Sequence, residues 1–510
     1  MGHPGSRSAQ LHVSGRTATL AGPPRERARF QALRLLGLVG TMLIALGAVG
    51  GGALPVVENP WFRGPLGALM SPMMIASSSL VLVGTGCLVA AWLCMAPFVG
   101  ASAGPPRIDA PVVLRTFIAW VLPLMATAPL FTQDIYSYLA NGSIVRQGLD
   151  PYSAGPVELL GVDHHLARSV PFIWAHSPSP YGPVALGIAG AISSLTGDSI
   201  FWGVLDHRVV SVAGILAAAW GIAALARRCG VAVPAALWLD PVRFNFYYGS
   251  LTVFTVALVA TDLWWKRPER AAEWLPAGLL TGLAAAITLR PLIFAVYFLL
   301  RKDTKAAAWM AGGFAVPTLI AAAARPEMSW RYFTDYLFHL DSRVALDQAQ
   351  NLSLTGAVKR FAPEASQQVL WLVLAAAVAA ALVWAAKAFV AAGEDAMAYV
   401  CLALVPLLCG PVSLPYSWAW MLPALVVVFE FAVRTRDEWM LLVGLLYLAF
   451  TTVFVPHSQF KNMDRIVDRD RVLGDWVMSS VVWGYRQTER EPRRHANRPI
   501  ARPNQTLESA

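Results

Sequence analysis

Long apolar windows recur along the whole chain and limit its possible folds more strongly than any other feature. Of the 510 residues, 56% are apolar and 14% are charged, whereas soluble proteins contain about 25% charged residues. A window of about 20 apolar residues lets a helix cross a bilayer while it satisfies its own backbone hydrogen bonds. The sequence therefore predicts an all-α, polytopic integral membrane protein.

Eleven apolar windows have the length of a membrane span or come close to it. They cover residues 33–56, 74–98, 111–131, 205–226, 231–248, 250–265, 306–324, 368–391, 397–411, 416–433 and 438–455. Two half-length pieces, 275–289 and 291–300, meet at Arg290-Pro291 and form either one broken span or a hairpin. A weaker piece, 472–485, dips into the membrane or lies at its interface. The expected number of transmembrane helices is therefore about 11–14.

Both ends of the chain are polar and lack apolar windows. Residues 1–31 are rich in Arg, Gly and Pro and are expected to be a disordered tail, and residues 486–510 form a second polar tail. The transmembrane domain is then 32–485. The net charge of +9 comes largely from these tails and from short basic loops. In a membrane protein such charge indicates contact with anionic lipids and not with nucleic acid.

Basic residues concentrate in the cytoplasmic loops of membrane proteins and so report orientation. Arg residues before the first window place the N terminus in the cytoplasm, and three spans then place Asp134 on the outer side. Because the later basic loops should lie inside, we expect 181–196 to be an outer juxtamembrane helix that does not cross the bilayer. Two large outer loops result, 132–203 and 325–367, and they hold most of the side chains with possible chemistry.

Asp134 lies just past the end of the span 111–131, within the segment FTQDIYSYLANGSIVRQGLDPY. It is either the N-cap of a helix that begins at Ile135 or a general base. Tyr138 follows one helical turn later on the same face, so polar groups gather there, and Gly148 is expected to end the helix. Partial burial at the membrane boundary raises the pKa of a carboxylate toward that of a useful base.

Other side chains outside the membrane are candidates for contacts with a phosphate group or a sugar hydroxyl. They are Tyr136, Tyr138, Asp150, Tyr152, His164, His176, Tyr181, His339, Arg343, Asn351 and Tyr416. A cationic His or Arg can face a phosphate leaving group. A solvated surface or an amphipathic interfacial helix is the alternative explanation for many of these residues. The adjacent pair His164-His165 lacks the i, i+4 spacing of metal ligands on a helix, so a metal site is not expected.

Arg290 stands between the two half-length apolar pieces. An Arg within the membrane is costly and by default indicates a functional site. The alternative is a side chain at the end of a span that reaches out to the interface. The sequence leaves both interpretations open.

Several motifs resemble two related families of membrane enzymes. QDIYSYLANGSIVRQGLDPYSAGP and SPSPYGPVALGIAGAISSLTGD resemble the actinobacterial polyprenol-phosphate-mannose-dependent α-(1→6)-mannosyltransferases of mannan and lipomannan synthesis, which have the GT-C superfold. This resemblance covers about residues 35–239. GLLTGLAAAITLRPLIFAVYFLL and QNLSLTGAVKRF resemble the related family of phosphatidylinositol-mannoside mannosyltransferases and a branching arabinofuranosyltransferase. That second family usually has Lys near Thr288, where this chain has Arg290.

The resemblance implies an activity and a role for Asp134. In GT-C enzymes an Asp of the first large outer loop is the general base, and Asp134 matches that position. It would deprotonate an acceptor hydroxyl and invert a polyprenyl-phosphate-mannose donor, which forms an α-mannoside on a lipid-linked mannan or lipomannan acceptor. The enzyme would work at the outer face of the plasma membrane. No cofactor is expected beyond the lipid-linked donor, and a divalent metal is not expected.

Three alternatives accompany this interpretation, and one of them is a catalytically inactive scaffold, which the altered motifs of the second half leave open. Of the other two, the first keeps the mechanism but uses a polyprenyl-phosphate-arabinose donor, since no motif distinguishes the two sugars. The second is a non-catalytic transporter of a lipid-linked sugar. A secondary transporter usually has internal repeats with a broken helix in each half, and the sequence offers one break, at Arg290.

Overall fold

The computed structural model describes residues 24–98, 108, 110–130, 133–229, 250–265, 275–338, 346, 351–436, 438–439 and 442. The predicted spans at 231–248 and across most of 438–455, the piece 472–485 and the tail 486–510 lie outside the described residues. The first helix already begins at Pro24, so the end of the expected tail is helical and not disordered. Pro at the first helical position and the acidic Glu26 in the first turn both favour a helix start there.

Every regular element in the described ranges is a helix. The α-helices are α1 (Pro24–Gly51), α2 (Pro65–Met70), α3 (Met74–Met95), α4 (Ala110–Met125), α5 (Asp134–Arg146), α6 (Pro156–Leu160), α7 (His165–Ser169), α8 (Phe172–Ala175), α9 (Pro183–Thr196), α10 (Ile200–Cys229), α11 (Thr252–Trp264), α12 (Leu279–Ile287), α13 (Phe294–Leu300), α14 (Thr304–Ala324), α15 (Pro326–Thr334), α16 (Leu354–Phe361), α17 (Glu364–Ala391), α18 (Asp395–Cys409) and α19 (Leu422–Thr435). Short 3-10 helices occupy Pro60–Phe62, Ala96–Phe98, Arg290–Ile293, Tyr336–Phe338 and Pro415–Met421.

Five of the described helices are long and apolar enough to cross a membrane: α1, α3, the part of α10 up to Ile222, α14 and α17. Six shorter apolar helices of 10–17 residues accompany them. The all-α, polytopic membrane fold is therefore confirmed. The number of spans stays a prediction, because two of the windows fall mainly outside the described residues.

The buried core lies where the apolar helices meet. Ile44, Trp120, Val256, Leu402 and Val427 come from α1, α4, α11, α18 and α19, and all five belong to one apolar cluster. α10 also contributes to this cluster. The core thus joins the two halves of the sequence, and polar side chains at its edge can come from both.

The apolar stretch 275–300 is interrupted where the sequence predicted a break. α12 ends at Ile287, and Thr288 is extended with φ −140° and ψ 135°. One turn of 3-10 helix follows at Arg290–Ile293 before α13 begins. Proline explains the break, since Pro291 has no N–H to donate and its ring excludes a continuous α-helix.

The predicted outer loop 132–203 contains the short helices α5 to α9. α5 stops at Arg146, and Gly148 has φ 81°, a left-handed conformation that favours glycine after a helix end. The prediction that Gly148 ends the helix is confirmed. α9 has 14 residues and so is about 21 Å long, which is too short for an apolar core of about 30 Å. Its length therefore supports the prediction of a juxtamembrane helix at 181–196.

An ion pair with a buried carboxylate holds α5 and α9 together. Asp198 follows α9 in a left-handed conformation with φ 62°. Its carboxylate accepts hydrogen bonds from Ser143 (2.8 Å) and Ser193 (2.5 Å) and pairs with Arg146. Burial alone would raise the pKa of Asp198, but the bonds from Arg146, Ser193 and Ser143 hold it below its ordinary value. The segment 132–203 thus has its own polar scaffold, which is separate from Asp134 and Arg290.

Candidate active site

A fully buried arginine fixes the chain that leads from α4 to Asp134. Arg208 of α10 is 0% exposed. Its Nη1 donates to the carbonyl oxygens of Leu124 (2.9 Å), Met125 (3.0 Å) and Thr127 (2.6 Å), and its Nη2 donates to that of Ala128 (3.2 Å). The last carbonyls of a helix have no partner within the helix. Arg208 therefore caps the end of α4 from a neighbouring helix.

Other donors complete this cap, so that every carbonyl from 124 to 129 accepts a hydrogen bond from outside α4. Trp61 Nε1 donates to Ala126 O (2.9 Å), and Ala53 N donates to Pro129 O (2.7 Å). The hydroxyl of Tyr136, which is buried, returns to Ala53 O (2.8 Å). Tyr136, predicted to bind substrate, thus directs its hydroxyl at the backbone in this structure.

Asp134 is the first residue of α5, and the N-cap position belongs to Gln133. The alternative that Asp134 caps a helix beginning at Ile135 is therefore wrong, because the helix starts one residue earlier. Asp134 is half-buried, and its Oδ1 accepts a hydrogen bond from Trp174 Nε1 at 2.9 Å. The helix N terminus favours its negative charge.

Three tyrosines lie within electrostatic reach of Asp134. The rings of Tyr138 and Tyr181 are stacked with centroids 4.4 Å apart. Burial raises the pKa of both far above the ordinary value, and the negative charge of Asp134 raises it further. Ser250 interacts with the Tyr138 hydroxyl. These phenols therefore stay protonated at physiological pH and can donate hydrogen bonds to a sugar or a phosphate.

Arg290 brings a positive charge to the same tyrosines. Its field acts on Tyr416, Tyr138 and Tyr332, and its Nη2 donates to Val412 O at 3.1 Å. Among the described residues no carboxylate lies within ion-pair distance of it. Burial raises the pKa of Tyr332 to about 12, and Arg290 opposes that rise. The guanidinium thus places a positive charge beside Tyr416, Tyr138 and Tyr332.

Asn351 supports the loop that ends in Tyr416. Its Oδ1 accepts hydrogen bonds from Ser413 N (2.9 Å) and Ser353 Oγ (2.9 Å), and its Nδ2 donates to Pro411 O (3.0 Å). The side chain is 1% exposed. Its role as a substrate contact stays a prediction. These hydrogen bonds make Asn351 a bridge between two loops.

The GLDPY turn joins the two segments predicted to be outer loops. Asp150 Oδ1 accepts a hydrogen bond from Tyr152 N (2.9 Å), and Asp150 Oδ2 pairs with Arg331 of α15 at 2.6 Å. The Tyr152 hydroxyl donates to Tyr181 O (2.5 Å), and its ring lies 5.4 Å from that of Tyr332. Asp150 and Tyr152 therefore hold Tyr181 and Tyr332 in place near Asp134 and Arg290. The predicted contacts of Asp150 and Tyr152 with substrate stay predictions.

Sequence models of two known protein families match parts of the chain that together contain Asp134 and Arg290. A sequence model of the family described as "Alpha-(1->6)-mannopyranosyltransferase, N-terminal domain" matches residues 34–301, more than half of the chain. The chain belongs to this family. A second model, that of glycosyltransferase family 87, matches residues 201–411. Both resemblances inferred from the motifs are thereby confirmed, and with them membership of a class of membrane glycosyltransferases.

Three similar proteins show which share of this chain and of each relative is covered by the match. Alpha-(1->6)-mannopyranosyltransferase B of Corynebacterium glutamicum is 50% identical over 47% of this chain and 44% of its own length. An alpha-(1->6)-mannopyranosyltransferase of Mycobacterium tuberculosis is 42% identical over 40% of this chain and 34% of its own length. The polyprenol-phosphate-mannose-dependent alpha-(1-2)-phosphatidylinositol mannoside mannosyltransferase of Mycolicibacterium smegmatis is 30% identical over 69% of this chain and 76% of its own length.

The chain thus spans less than half the length of the first two of these relatives. No significantly similar solved structure was found. Asp134 falls in the first family match alone, and Arg290 falls in both. Both charges that act on the tyrosines therefore lie within the mannopyranosyltransferase match, and Arg290 lies in the glycosyltransferase family 87 match as well.

Two predicted histidines lie away from these charges. His164 is the N-cap of α7 and accepts a hydrogen bond from Leu166 N at 3.3 Å. Burial, with a further effect of His165, lowers the pKa of His164, so it is neutral at physiological pH. His176 pairs with Glu158 at 2.5 Å on the exposed surface. The structure does not bring either histidine into hydrogen-bonding contact with Asp134 or Arg290.

His339 and Arg343 lie outside the described residues, so their roles stay predictions. Within the described ranges no group of three or more His, Cys, Asp or Glu side chains could hold a metal ion. Sequence reasoning assigned no role to Arg208 or Ser250. An Arg inside an apolar window is itself a signal, and Arg208 in the span 205–226 carried that signal.

Proposed function

We propose that this chain is an inverting glycosyltransferase that moves mannose from polyprenyl-phosphate-mannose to a lipid-linked mannan or lipomannan-type acceptor, at the outer face of the plasma membrane. One arrangement carries the proposal: Asp134 opens the helix that bears Tyr138, Arg290 donates to Val412 O shortly before Tyr416, and both charges act on Tyr138 and Tyr416. A carboxylate and a cation around one polar cluster are what this single displacement needs.

The chemistry follows from that arrangement. Asp134 takes the proton of the acceptor hydroxyl while the oxygen of that hydroxyl attacks the anomeric carbon of the donor sugar. The bond from that carbon to the phosphate oxygen breaks, and the polyprenyl phosphate leaves with the electron pair. Arg290 and the tyrosine hydroxyls stabilise the charge on the leaving phosphate. One displacement inverts a β-linked donor to an α-mannoside, so a second nucleophilic carboxylate has no role.

The membrane setting supports a lipid-linked donor. The Asp134 segment follows directly on an apolar helix, α4, so a sugar on a lipid phosphate can reach the carboxylate while its tail stays in the bilayer. The Mycolicibacterium smegmatis relative carries dependence on polyprenol-phosphate-mannose in its name. The placement of this side of the bilayer outside the cell rests on the distribution of basic residues.

Sugar transfer with parallel donors tests the proposal. Membranes containing the protein would receive labelled polyprenyl-phosphate-mannose, polyprenyl-phosphate-arabinose or a nucleotide-linked mannose, each with a short α-mannoside acceptor. We expect transfer from the polyprenyl-phosphate-mannose donor alone. Transfer from the arabinose donor alone would overturn the choice of sugar. Movement of an intact labelled donor across vesicles without any transfer would favour a transporter.

Arg290→Gln is expected to raise the KM for the lipid-linked donor by about 10- to 100-fold. Hydrogen bonds to charged groups contribute about 1.5–3 kcal/mol, and Gln keeps a donor without the charge. Arg290→Lys should lie between the two, since Lys keeps the charge without the bidentate fork. Initial rates over a donor series measure the effect.

Arg168→Gln is the matched control for this charge removal. Arg168 is exposed on α7 in the outer loop, so its loss should leave the donor KM unchanged. Equal effects of Arg290→Gln and Arg168→Gln would mean that the donor senses only the general surface charge. An unchanged KM in Arg290→Gln would remove Arg290 from the phosphate site.

A further inference from the structure

We propose that Trp174 is a positioning residue for Asp134, whose indole N–H keeps the carboxylate oriented and ionised. This inference rests on the proposed function. The direct observation is the hydrogen bond from Trp174 Nε1 to Asp134 Oδ1 at 2.9 Å, between residues 40 positions apart in the sequence. Neither family match nor any relative's name assigns a role to this tryptophan.

The short helix α8 holds the indole in place. Pro171 is its N-cap, and Pro171 O accepts hydrogen bonds from Trp174 N (2.8 Å) and Ala175 N (3.0 Å). Ala175 is buried, and a Cβ added to Gly155 would lie 2.5 Å from the Cα of His176. The end of α8 therefore packs directly on the backbone at Gly155. A ring carried by such a closely packed turn has little freedom to leave its acceptor.

Within α8, Trp174 and Ala175 point inward, whereas Phe172 and Ile173 point outward. Phe172 and Ile173 are 84% and 56% exposed, whereas Trp174 is half-buried. The sequence around Trp174 thus combines two apolar side chains on the outside with one indole directed at a carboxylate. Packing alone would not require the N–H of that indole to end on the proposed base.

Within the described part of the chain, three titratable side chains respond to the charge of Asp134. Tyr138 of the same helix, Tyr181 before α9 and Tyr416 of the second half all respond to the charge of Asp134. They are neutral phenols. An N–H donor on one carboxylate oxygen favours the ionised form and so lowers its pKa. It also fixes the plane of the carboxylate and hence the direction from which it accepts a proton.

Trp174→Phe tests the inference, because it keeps an aromatic ring and removes the N–H. The acid limb of the pH–rate profile should move to higher pH by about one unit. The plateau kcat should fall by about three- to tenfold through lost orientation, with the donor KM little changed. Trp174→His, which keeps a ring N–H, should recover part of both effects. Trp330→Phe, at a 73% exposed indole of α15, is the matched control and should leave the profile unchanged.

A readout without sugar transfer separates this inference from the proposed function. The infrared carboxyl band of Asp134 is identified as the difference between the wild type and Asp134→Asn. Its titration midpoint should move to higher pH in Trp174→Phe by about one unit. An unchanged midpoint would overturn the role of Trp174 even if the wild type transfers mannose. A shifted midpoint in a protein that transfers no sugar would keep the positioning role and reject the proposed function.

Discussion

Asp134→Asn is expected to lower the rate of mannosyl transfer by a factor of about 10²–10⁴, the usual contribution of a general base. Asn has nearly the same shape and keeps an oxygen that can accept the Trp174 hydrogen bond. It cannot take a proton from the acceptor hydroxyl. The loss should therefore appear in kcat, with the donor KM little changed and the protein folded. Initial rates with polyprenyl-phosphate-mannose measure it.

Asp163→Asn provides the matched control, since Asp163 is an exposed carboxylate of the same outer loop. It should transfer mannose at the wild-type rate. Wild-type rates in Asp134→Asn would show that the carboxylate is not the base, despite its place beside Tyr138 and Tyr181. A fall in both variants would indicate a general effect of the loop charge on substrate approach.

The sequence identified those features of the site that depend on local pattern. Asp134 at the end of an apolar window, the break at Arg290-Pro291 and the helix end at Gly148 all follow from residues close together in the chain. The structure has each of them. Such features are predictable because backbone sterics and apolar periodicity act over a few residues.

The supports of the site could not be predicted in the same way. Arg208 donates to Leu124, which lies 84 positions earlier, and Asn351 accepts from Ser413, which lies 62 positions later. No local period links such pairs. A polar residue in an apolar window tells us that a partner is needed, but the fold decides which partner it finds. The same limit explains why the sequence treated Tyr136 as a substrate contact, whereas its hydroxyl bonds to Ala53 O.

The two halves of the chain divide the work of the proposed site. Asp134 and Tyr138 come from the part matched by the mannopyranosyltransferase model, while Tyr416 follows the part matched by glycosyltransferase family 87. Arg290 lies where the two matches overlap. Tyr416 then joins Asp134, Tyr138 and Arg290 only when the helices of both parts pack. Folding and catalysis should for this reason be sensitive to the same buried contacts.

Arg208→Met is expected to destabilise the fold by about 3–5 kcal/mol, because it removes a donor from four carbonyl groups, of which Leu124 O keeps the Thr127 hydroxyl. Each buried acceptor left without a partner costs about 1–3 kcal/mol, and no water within the apolar core replaces the lost bonds. Total stabilities of single domains are about 5–15 kcal/mol, so a large part of the protein should fail to fold. Arg208→Lys keeps the charge but reaches fewer carbonyls, and should melt between the wild type and Arg208→Met.

Thermal melting of the detergent-purified variants measures this effect, and Arg115→Met is the matched control. Arg115 is exposed on α4, the helix that Arg208 caps, so the same chemical change there should leave the melting temperature close to that of the wild type. A wild-type melting curve for Arg208→Met would mean that the carbonyls from 124 to 128 find other donors. The hydrogen bonds of Arg208 would then not be what fixes the position of Asp134. If Arg208→Lys folds but transfers mannose slowly with an unchanged donor KM, these hydrogen bonds act on the geometry of the base and not on donor binding.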